Sequence, residues 1–467
     1  MWRFGHVWQE PEASDGRSQA LASRRATAIF RLLNLDASTE PSAMNLLEEY
    51  RWRGMLQDAT EGAGEALAAG PVTAYIGFDP TAPSLHVGSL MPIMGLVHLQ
   101  RAGHNPIVLM GGGTGLIGDP SGKTEERKLL TKLEAAENLA AMQVQLEHFL
   151  DFECATNPAR TVDNLEWLGD ISMVDFLRDV GKHFSVNALL KKESVRRRLE
   201  DEEVGISYTE FSYALLQAYD FVALNERHGC TFQMGGSDQW GNITAGIDLV
   251  RRMSGEKAYG LTYPLVTGAS GRKFGKTEAG SVWLDPELTS PYRFYQFWMN
   301  VDDRDVARYL QYFTLLDSEE IGAEEAELAE RPHERRAHRR LAEAVTRSVH
   351  GESGLSKAQA ATAVLFGDEL TGLGAEEIAD IFADVPSSEV ARADLEGEGV
   401  DVIALLVSAA LASSRGDARR AIEGGGVYLN NVRVRDVEAR VRLDAAVDGR
   451  FVILRKGKKA YHLVRVV

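Results

Sequence analysis

From Thr73 to Met253 short apolar runs alternate with longer amphipathic stretches, and few architectures accept that rhythm. TAYIGF, NPIVLMG and CTFQMGG read as strands, and TVDNLEWL as a strand and turn. SLHVGSLMPIMGLVHLQRAG, closed by Gly103, reads as a helix opening at Ser84. EERKLLTKLEAAENLAAMQVQLEHFL, TEFSYALLQAYDFVAL and NITAGIDLVRRM read as further helices. Such alternation predicts the α/β class, a parallel sheet covered by helices. Ligands in these sheets sit beyond the carboxyl ends of the strands, so residues there are the first candidates for chemistry.

The chain has 467 residues, too many for one typical domain. The α/β pattern occupies 44–283. From Ser290 it becomes helical (PYRFYQFWMN, RDVARYLQYF, EEIGAEEAELAE, RRAHRRLAEAVTRSVHG), which predicts a helical domain over 284–370. Residues 371–395 read as a linker with one short helix. A last domain, 396–467, holds two helices (VIALLVSAAL, RGDARRAIEG) and then strands. Residues 1–43 have scattered charge, little periodicity and no signal-peptide core. They are expected to be disordered or a mis-assigned start, with translation beginning at Met44; a processed extension is the alternative. Behind Met44, Leu46, Leu47 and Tyr50 suit one helix face.

A net charge of -17 sits badly with nucleic-acid binding until its distribution is read. Residues 400–467 hold 13 Lys or Arg against 7 Asp or Glu, a net of +6, which leaves -23 on the rest. A small basic module on an acidic body suits selective RNA contact. Two cysteines, Cys154 and Cys230, lie far apart and give neither metal-ligand spacing nor a disulfide framework; they suit a reducing, cytoplasmic setting. No apolar run reaches membrane-spanning length.

Two short motifs carry the most chemistry. In YIGFDPTAPSLHVGS, Tyr75–Ser89, a strand ends in Asp79-Pro80-Thr81 and a helix start follows, a ready anion site. His86 and Ser89, three apart, can both donate to phosphate, and Gly88 lets a nucleotide approach the backbone. A lone histidine near a helix start is more often structural. The second motif is KFGKT, Lys273–Thr277, within a candidate phosphate-closing loop 271–279. Its two lysines, flanked by Gly271 and Gly275, suit a mobile segment that meets charge building on a polyphosphate. A solvated KxxK pair is ordinarily without function. MGGGTGLIGDPSGKT, Met110–Thr124, is not a P-loop, because the position five before Gly122 is Ile117 and not glycine. Elsewhere Tyr213, Gln217 and Asp220 recur on one helix face, and FQMGGSDQWGN brings Gln233, Gly236, Asp238 and Gln239 to a strand end. Buried polar packing would explain these equally well on spacing alone.

Together these segments resemble the bacterial-type tyrosyl branch of the class I aminoacyl-tRNA synthetases, over roughly residue 44 to the end. Residues 413–436, SSRGDARRAIEGGGVYLNNVRVRD, resemble an S4-like RNA-binding module. The resemblance implies a Rossmann-like catalytic domain followed by an α-helical domain and a small α+β S4-like domain. It implies that His86, Ser89, Lys123, Arg127, Lys273, Lys276 and Thr277 serve the phosphates. Asp220 and Tyr75 would grip a substrate phenol; Tyr213, Gln217 and Asp119 its ammonium group, with Gln233 bordering. Asp79, Thr81, Gly88, Gly236, Asp238, Gln239 and Lys276 would hold ATP or the adenylate. ATP brings Mg²⁺ with it, and no protein metal cage is expected. Partners would be L-tyrosine, tRNA(Tyr) and a second copy of the chain. The basic stretch around Lys191, Lys192, Arg196, Arg197 and Arg198, and Arg415, Arg419 and Arg420, would meet RNA phosphates. The family's usual His-x-Gly-His is here His86-Val87-Gly88-Ser89; serine keeps a donor but loses the imidazole. Ser89 is the one feature that favours a non-catalytic RNA-binding protein retaining the synthetase fold. Asp220 with Tyr75, and the KFGKT form, argue against the tryptophanyl branch. A nucleotidyltransferase acting on a small acid leaves the basic C-terminal domain without a role.

Overall fold

The computed structural model describes residues 45–121, 129–200, 205–269, 274–277, 280–365, 367, 370, 373–383, 385–457 and 460–467. The readings made on 1–43, Met44, Lys123, Arg127 and Lys273 lie outside these residues. The first helix among the described residues, α1 (Leu46–Trp52), opens on Asn45, whose side-chain carbonyl accepts from the N–H groups of Leu47 and Glu48. It buries Leu46, Leu47 and Tyr50, the face expected.

Six strands follow in chain order: β1 (Asp58–Ala59), β2 (Thr73–Phe78), β3 (Asn105–Met110), β4 (Arg160–Asp163), β5 (Cys230–Gly236) and β6 (Tyr259–Tyr263). They form one sheet in the order β1-β6-β5-β2-β3-β4. β2 to β6 run parallel; β1 lies antiparallel on β6, with Asp58 opposite Thr262. The sheet is therefore mixed, a Rossmann-like core with an antiparallel edge. YGLTY, the β6 segment, is not among the strands expected from the pattern, because Gly260 and Thr262 break its apolar run.

The main helices of this sheet are α2 (Leu90–Arg101), α3 (Lys132–Leu146), α4 (Tyr208–His228) and α5 (Trp240–Met253). Ser207 caps α4 through the N–H of Glu210, and Gly229 at φ 61° ends it in the left-handed region. Tyr75, Ile107, Phe221, Val222, Cys230 and Leu249 belong to one buried cluster that joins the sheet to α4 and α5. The chain fills β2, β3 and β4 on one side, then crosses to β5 on the other flank of β2. That reversal makes a switch point between β2 and β5, where strand ends diverge and leave room for a ligand.

The chain falls into two compact units. One runs to Leu284 and takes in Asp302–Ala337; the other comprises Asp285–Val301 and His338–Val467. The stretch 284–370 is thus divided between the two units. Within the first unit Arg53 donates to the carbonyls of Gln311, Thr314 and Leu316 at 3.0, 3.1 and 2.8 Å, which ties the last turn of helix Asp303–Phe313 and the segment after it to the α/β core. Within the second, the stretch read as a linker carries the helix Ala375–Ile381 and the strand Ser387–Val390. That strand pairs in parallel with Ala460–Val466, at the edge of a five-stranded sheet. Ile378 and Phe382 are buried with Ile453 and Leu463, so these residues are core and not spacer. No helix among the described residues is long and apolar enough to cross a membrane.

Candidate active site

Asp79 leaves the end of β2 with both oxygens engaged. Thr114 Oγ1 donates to one at 2.7 Å and Tyr213 Oη to the other at 2.8 Å. Gly111 makes room for this: a Cβ there would lie 2.1 Å from Asp79 Oδ1. The neighbouring N–H groups of Gly112 and Gly113 donate to Asp163 Oδ1 and Asn164 Oδ1 at 3.1 and 2.8 Å. They are committed to the protein itself, which gives a physical reason beyond spacing why this glycine run is no phosphate cradle.

The helix expected from Ser84 starts later. α2 begins at Leu90, after a single tight turn over Val87–Ser89. Leu85 and Val87 are drawn into a backbone ladder instead: Leu284 N–H donates to Leu85 C=O at 2.8 Å and Val87 N–H to Val282 C=O at 3.0 Å. His86 is extended (φ -124°, ψ 170°), and its Nδ1 accepts from the N–H of Gly88 at 2.9 Å. An accepting Nδ1 means the proton sits on Nε2, which leaves that nitrogen as the donor. His86 and Ser89 therefore do not share an α-helical face; His86 caps the turn and Ser89 stands at the start of α2 without making a capping bond.

The same ladder brings the second motif alongside the first. Val282 N–H donates to Gly275 C=O at 3.0 Å, and Lys276 and Thr277 pair as backbone with Ser281 and Gly280. Gly275, at φ 74°, comes so close that a Cβ would lie 2.6 Å from Val87 Cγ2. Phe274 is stacked on Phe313 (centroids 5.6 Å apart, 8° between planes) and packs against Tyr309. Two segments nearly two hundred residues apart in sequence thus form one wall.

At the switch point lies a cavity of about 560 Å³. Of the sequence candidates, Tyr75, Asp79, Thr81, His86, Gly88, Ser89, Asp119, Tyr213, Gln217, Asp220, Gln233, Gly236, Asp238 and Gln239 all line it. At its floor Asp220 is buried; Oδ1 accepts from Trp167 Nε1 at 2.7 Å and Oδ2 from Asn164 Nδ2 at 3.0 Å. Burial pushes its carboxyl up to about 8, against the lowering effect of those two bonds. Tyr75 Oη and Gln233 Oε1 are buried with no hydrogen-bond partner among the described residues. Such groups cost free energy until a ligand satisfies them. Burial, with Asp220 adding to it, raises the Tyr75 phenol well above its usual range, so it stays a neutral donor.

The upper part of the cavity is rich in acceptors. Gln239 Nε2 donates to Asp119 Oδ2 at 2.7 Å and Gln217 Nε2 to Gln239 Oε1 at 3.1 Å. Burial, with Asp79, Asp119 and Asp220 nearby, raises the Tyr213 phenol. Burial also raises Asp238, with Asp119 adding to it. Clustered carboxylates around neutral amides suit a small cation such as an ammonium group. Among the described residues no group of three or more His, Cys, Asp or Glu is placed to hold a metal ion.

A family model described as class I tRNA synthetases (W and Y) matches residues 67–367, and a tyrosine–tRNA ligase C-terminal domain model matches 377–464. The tyrosine–tRNA ligase of Roseiflexus castenholzii is 57% identical over 422 residues, covering 90% of this chain and 99% of that protein. That of Geobacillus stearothermophilus is 52% identical over 425 residues, covering 90% and 100%. The crystal structure of a C-terminally truncated Aspergillus nidulans mitochondrial tyrosyl-tRNA synthetase is similar at a TM-score of 0.63 and 28% identity, covering 75% of this chain and 99% of that one. The chain belongs to the tyrosine–tRNA ligase family.

As a member of that family it is an aminoacyl-tRNA synthetase in type, with nucleotide and RNA among its ligands. The basic stretch within 191–200 divides unexpectedly. Arg196 is exposed, and the side chain of Arg197 lies outside the described residues. Arg198 turns inward, to a buried ion pair with Glu210 at 2.9 Å and to the carbonyl of Gly205. Lys192 also turns inward, toward Asn242 Oδ1 at 3.2 Å; burial lowers it to about 8. Charge pattern alone cannot say which way a basic residue faces. Arg415, Arg419 and Arg420 stand exposed on the helix Arg415–Glu423, with Arg415 paired to Asp401 at 2.7 Å. Asn164, Trp167 and Asn242 were not among the sequence candidates. The only local signal for the first two is a polar and an aromatic residue just past a strand end.

In this family member Gly88 is expected to be irreplaceable for a steric reason. A Cβ would lie 2.6 Å from His86 Cε1 and 2.8 Å from Nδ1. Gly88→Ala should push the imidazole out of place and slow amino-acid activation on the order of 10- to 100-fold, as misplacing one charge-stabilising donor does. Pre-steady-state adenylate formation measures this; an unchanged rate constant refutes it.

Proposed function

We propose that the protein is a tyrosine–tRNA ligase: it joins L-tyrosine to ATP, releasing pyrophosphate, and passes the tyrosyl group to the 3′ end of tRNA(Tyr). The observation that carries this reading is the cavity floor, lined by both the unpartnered Tyr75 hydroxyl and the Asp220 carboxyl, beside an acceptor-rich rim. A phenol entering there satisfies polar groups that phenylalanine leaves unpaired. Asp119, Tyr213 and Gln217 take the ammonium group, with Gln233 bordering. The tyrosine carboxylate then faces the nucleotide side. It attacks the α-phosphorus of ATP, the bond to the β-phosphate oxygen breaks, and pyrophosphate leaves. The protein supplies position and charge and no covalent nucleophile. His86 Nε2–H and Ser89 donate to the phosphates together with Lys123, Arg127, Lys273, Lys276 and Thr277. Asp79, Thr81, Gly88, Gly236, Asp238 and Gln239, with Lys276, hold the nucleotide or the adenylate. Mg²⁺ arrives with the ATP. The terminal ribose hydroxyl of the tRNA next attacks the adenylate carbonyl and AMP departs.

Tyrosine-dependent exchange of pyrophosphate into ATP tests the first step. Stimulation by tyrosine and by neither tryptophan nor phenylalanine is the expected result; no stimulation by any amino acid favours the non-catalytic RNA-binding reading. We assign the C-terminal unit an S4-like RNA role through Arg415, Arg419 and Arg420, and an acceptor-side role to Arg196 and Arg197. Replacing Arg419 and Arg420 together with alanine should lower tRNA charging about tenfold and reduce the log–log salt slope by about 2, while exchange is unchanged. A second copy of the chain is the expected cover for Met173, Val174 and Tyr208, which are 70%, 73% and 67% exposed near the half-buried Phe176 and Phe211. Sedimentation equilibrium decides that point.

A further inference from the structure

Behind the rim of the cavity a run of hydrogen bonds has a fixed direction. It begins at Lys192, whose ammonium can only donate, and ends at Asp119, whose carboxylate can only accept. Lys192 Nζ faces Asn242 at 3.2 Å, so the Asn242 atom turned toward it must be Oδ1. Nδ2 of Asn242 then faces Gln217 Oε1 at 2.9 Å and Gln239 Oε1 at 3.3 Å. With Oε1 of Gln239 held on that side, its Nε2 faces Asp119 Oδ2 at 2.7 Å. Asn242 is only 5% exposed, so water cannot easily replace these contacts. A side-chain amide has no intrinsic preference for which end is oxygen; its neighbours choose. Here a donor-only group at one end and an acceptor-only group at the other make the choice for three amides at once.

We propose that Asn242, oriented by Lys192, is a positioning residue that holds Gln217 and Gln239 with their oxygens toward it, so that Gln239 Nε2 meets Asp119 and keeps that carboxylate in place for the substrate's ammonium. The proposal rests on the assignment of Asp119, Tyr213 and Gln217 to that group. Neither Asn242 nor Lys192 touches substrate; both act through the glutamines.

The sign of two isosteric changes separates this role from simple electrostatics. Lys192→Met removes a positive charge near a cation site, and Asn242→Asp adds a negative one, so charge alone predicts tighter tyrosine binding in both. The orienting role predicts the reverse. A carboxylate in place of the Asn242 amide would offer acceptors to Gln217 Oε1 and Gln239 Oε1 and turn those amides, so that Gln239 Oε1 faces Asp119 Oδ2 and pushes that carboxylate from its place; without Lys192 the direction is no longer set. Equilibrium binding of tyrosine and of 3-(4-hydroxyphenyl)propionate, which lacks the amino group, is measured on the wild type and both variants. Tyrosine affinity should fall on the order of 10- to 100-fold in Asn242→Asp and less in Lys192→Met, while the analogue binds all three proteins alike. Tighter or unchanged tyrosine binding overturns the proposal. So does an equal loss for tyrosine and analogue, which would mean a merely structural role. Failure of the wild type itself to bind tyrosine would bring down the underlying assignment, and is told apart because it appears before any variant is made.

Discussion

Asp220→Ala is expected to weaken tyrosine binding by about two orders of magnitude while leaving the KM for ATP nearly unchanged. Under the proposed function the change strips the substrate phenol of its carboxyl partner, and it abandons the N–H donors of Trp167 and Asn164, which lie 2.7 and 3.0 Å from Asp220. Each buried donor left unpaired costs about 1–3 kcal/mol, so part of the loss is also expected as lower stability. Asp220→Asn separates the two effects, because it keeps the volume and one acceptor. It also reports on the buried carboxyl directly. Folding holds that group's proton up to about 8, whereas an unfolded aspartate releases it near 3.9. Between those values the native state binds the proton that the unfolded state has lost, so this group makes the empty protein less stable as pH rises from about 4 to about 8. Asp238 acts in the same direction. Lys192, lowered to about 8, contributes nothing below that pH and the opposite slope above it. Thermal unfolding of the empty enzyme across this window should therefore slope less in Asp220→Asn than in the wild type. Equal slopes, together with wild-type KM for tyrosine in the alanine variant, would refute the phenol assignment.

How much of this was legible in the chain depends on whether the cause is local. β2, β3 and β5 read directly, because a strand buried on both faces is an apolar run between turn residues. β6 did not, because its burial comes from β5 and α5 and not from its own composition. The helix read from Ser84 failed for a related reason. Leu85 and Val87 pair with Leu284 and Val282, and no window around residue 85 contains those partners. The site followed the same division. Asp79 and Gly236 stand at strand ends, where the alternation itself points, and the helix spacing of Tyr213, Gln217 and Asp220 put them on one face. What the spacing left open was whether that face was packing or pocket; the cavity beneath it answers that, whereas the roles came from resemblance. Asn164 and Trp167, which hold Asp220, arrive from the loop after β4, and Asn242 from the far side of α5. Their significance exists only in three dimensions. The basic stretch around residue 195 shows the converse: Arg198 looks like its neighbours in sequence, yet it is spent on Glu210 inside the protein.

Gly275→Ala is expected to leave tyrosine binding intact and to slow adenylate formation by about 10²-fold. Gly275 is where the two nucleotide motifs touch. Its φ of 74° is one that alanine adopts at a cost of about 1–2 kcal/mol, which a protein of this size tolerates. The contact is what it does not tolerate: a Cβ would lie 2.6 Å from Val87 Cγ2, and Val87 is fully buried and bonded to Val282, so it cannot retreat. The turn carrying Gly275 must move instead. Phe274 resists on its other side, stacked 5.6 Å from Phe313. The displacement is then passed into the backbone of Lys276 and Thr277 relative to His86, residues that under the proposed function meet the charge built up as pyrophosphate leaves. A shift near one ångström between groups that act on the same phosphates is enough for a loss of that size. Under the proposed function tyrosine rests on Tyr75, Asp220 and Gln217, and its binding should not register the change. Stopped-flow measurement of tyrosine binding and of adenylate formation in the same variant distinguishes the outcomes. Loss confined to the chemical step means that the contact between the motifs sets the geometry of the phosphates. Equal loss in both steps would mean that Gly275 merely holds the fold together, and no loss in either would mean that the loop positions its lysines without help from Val87.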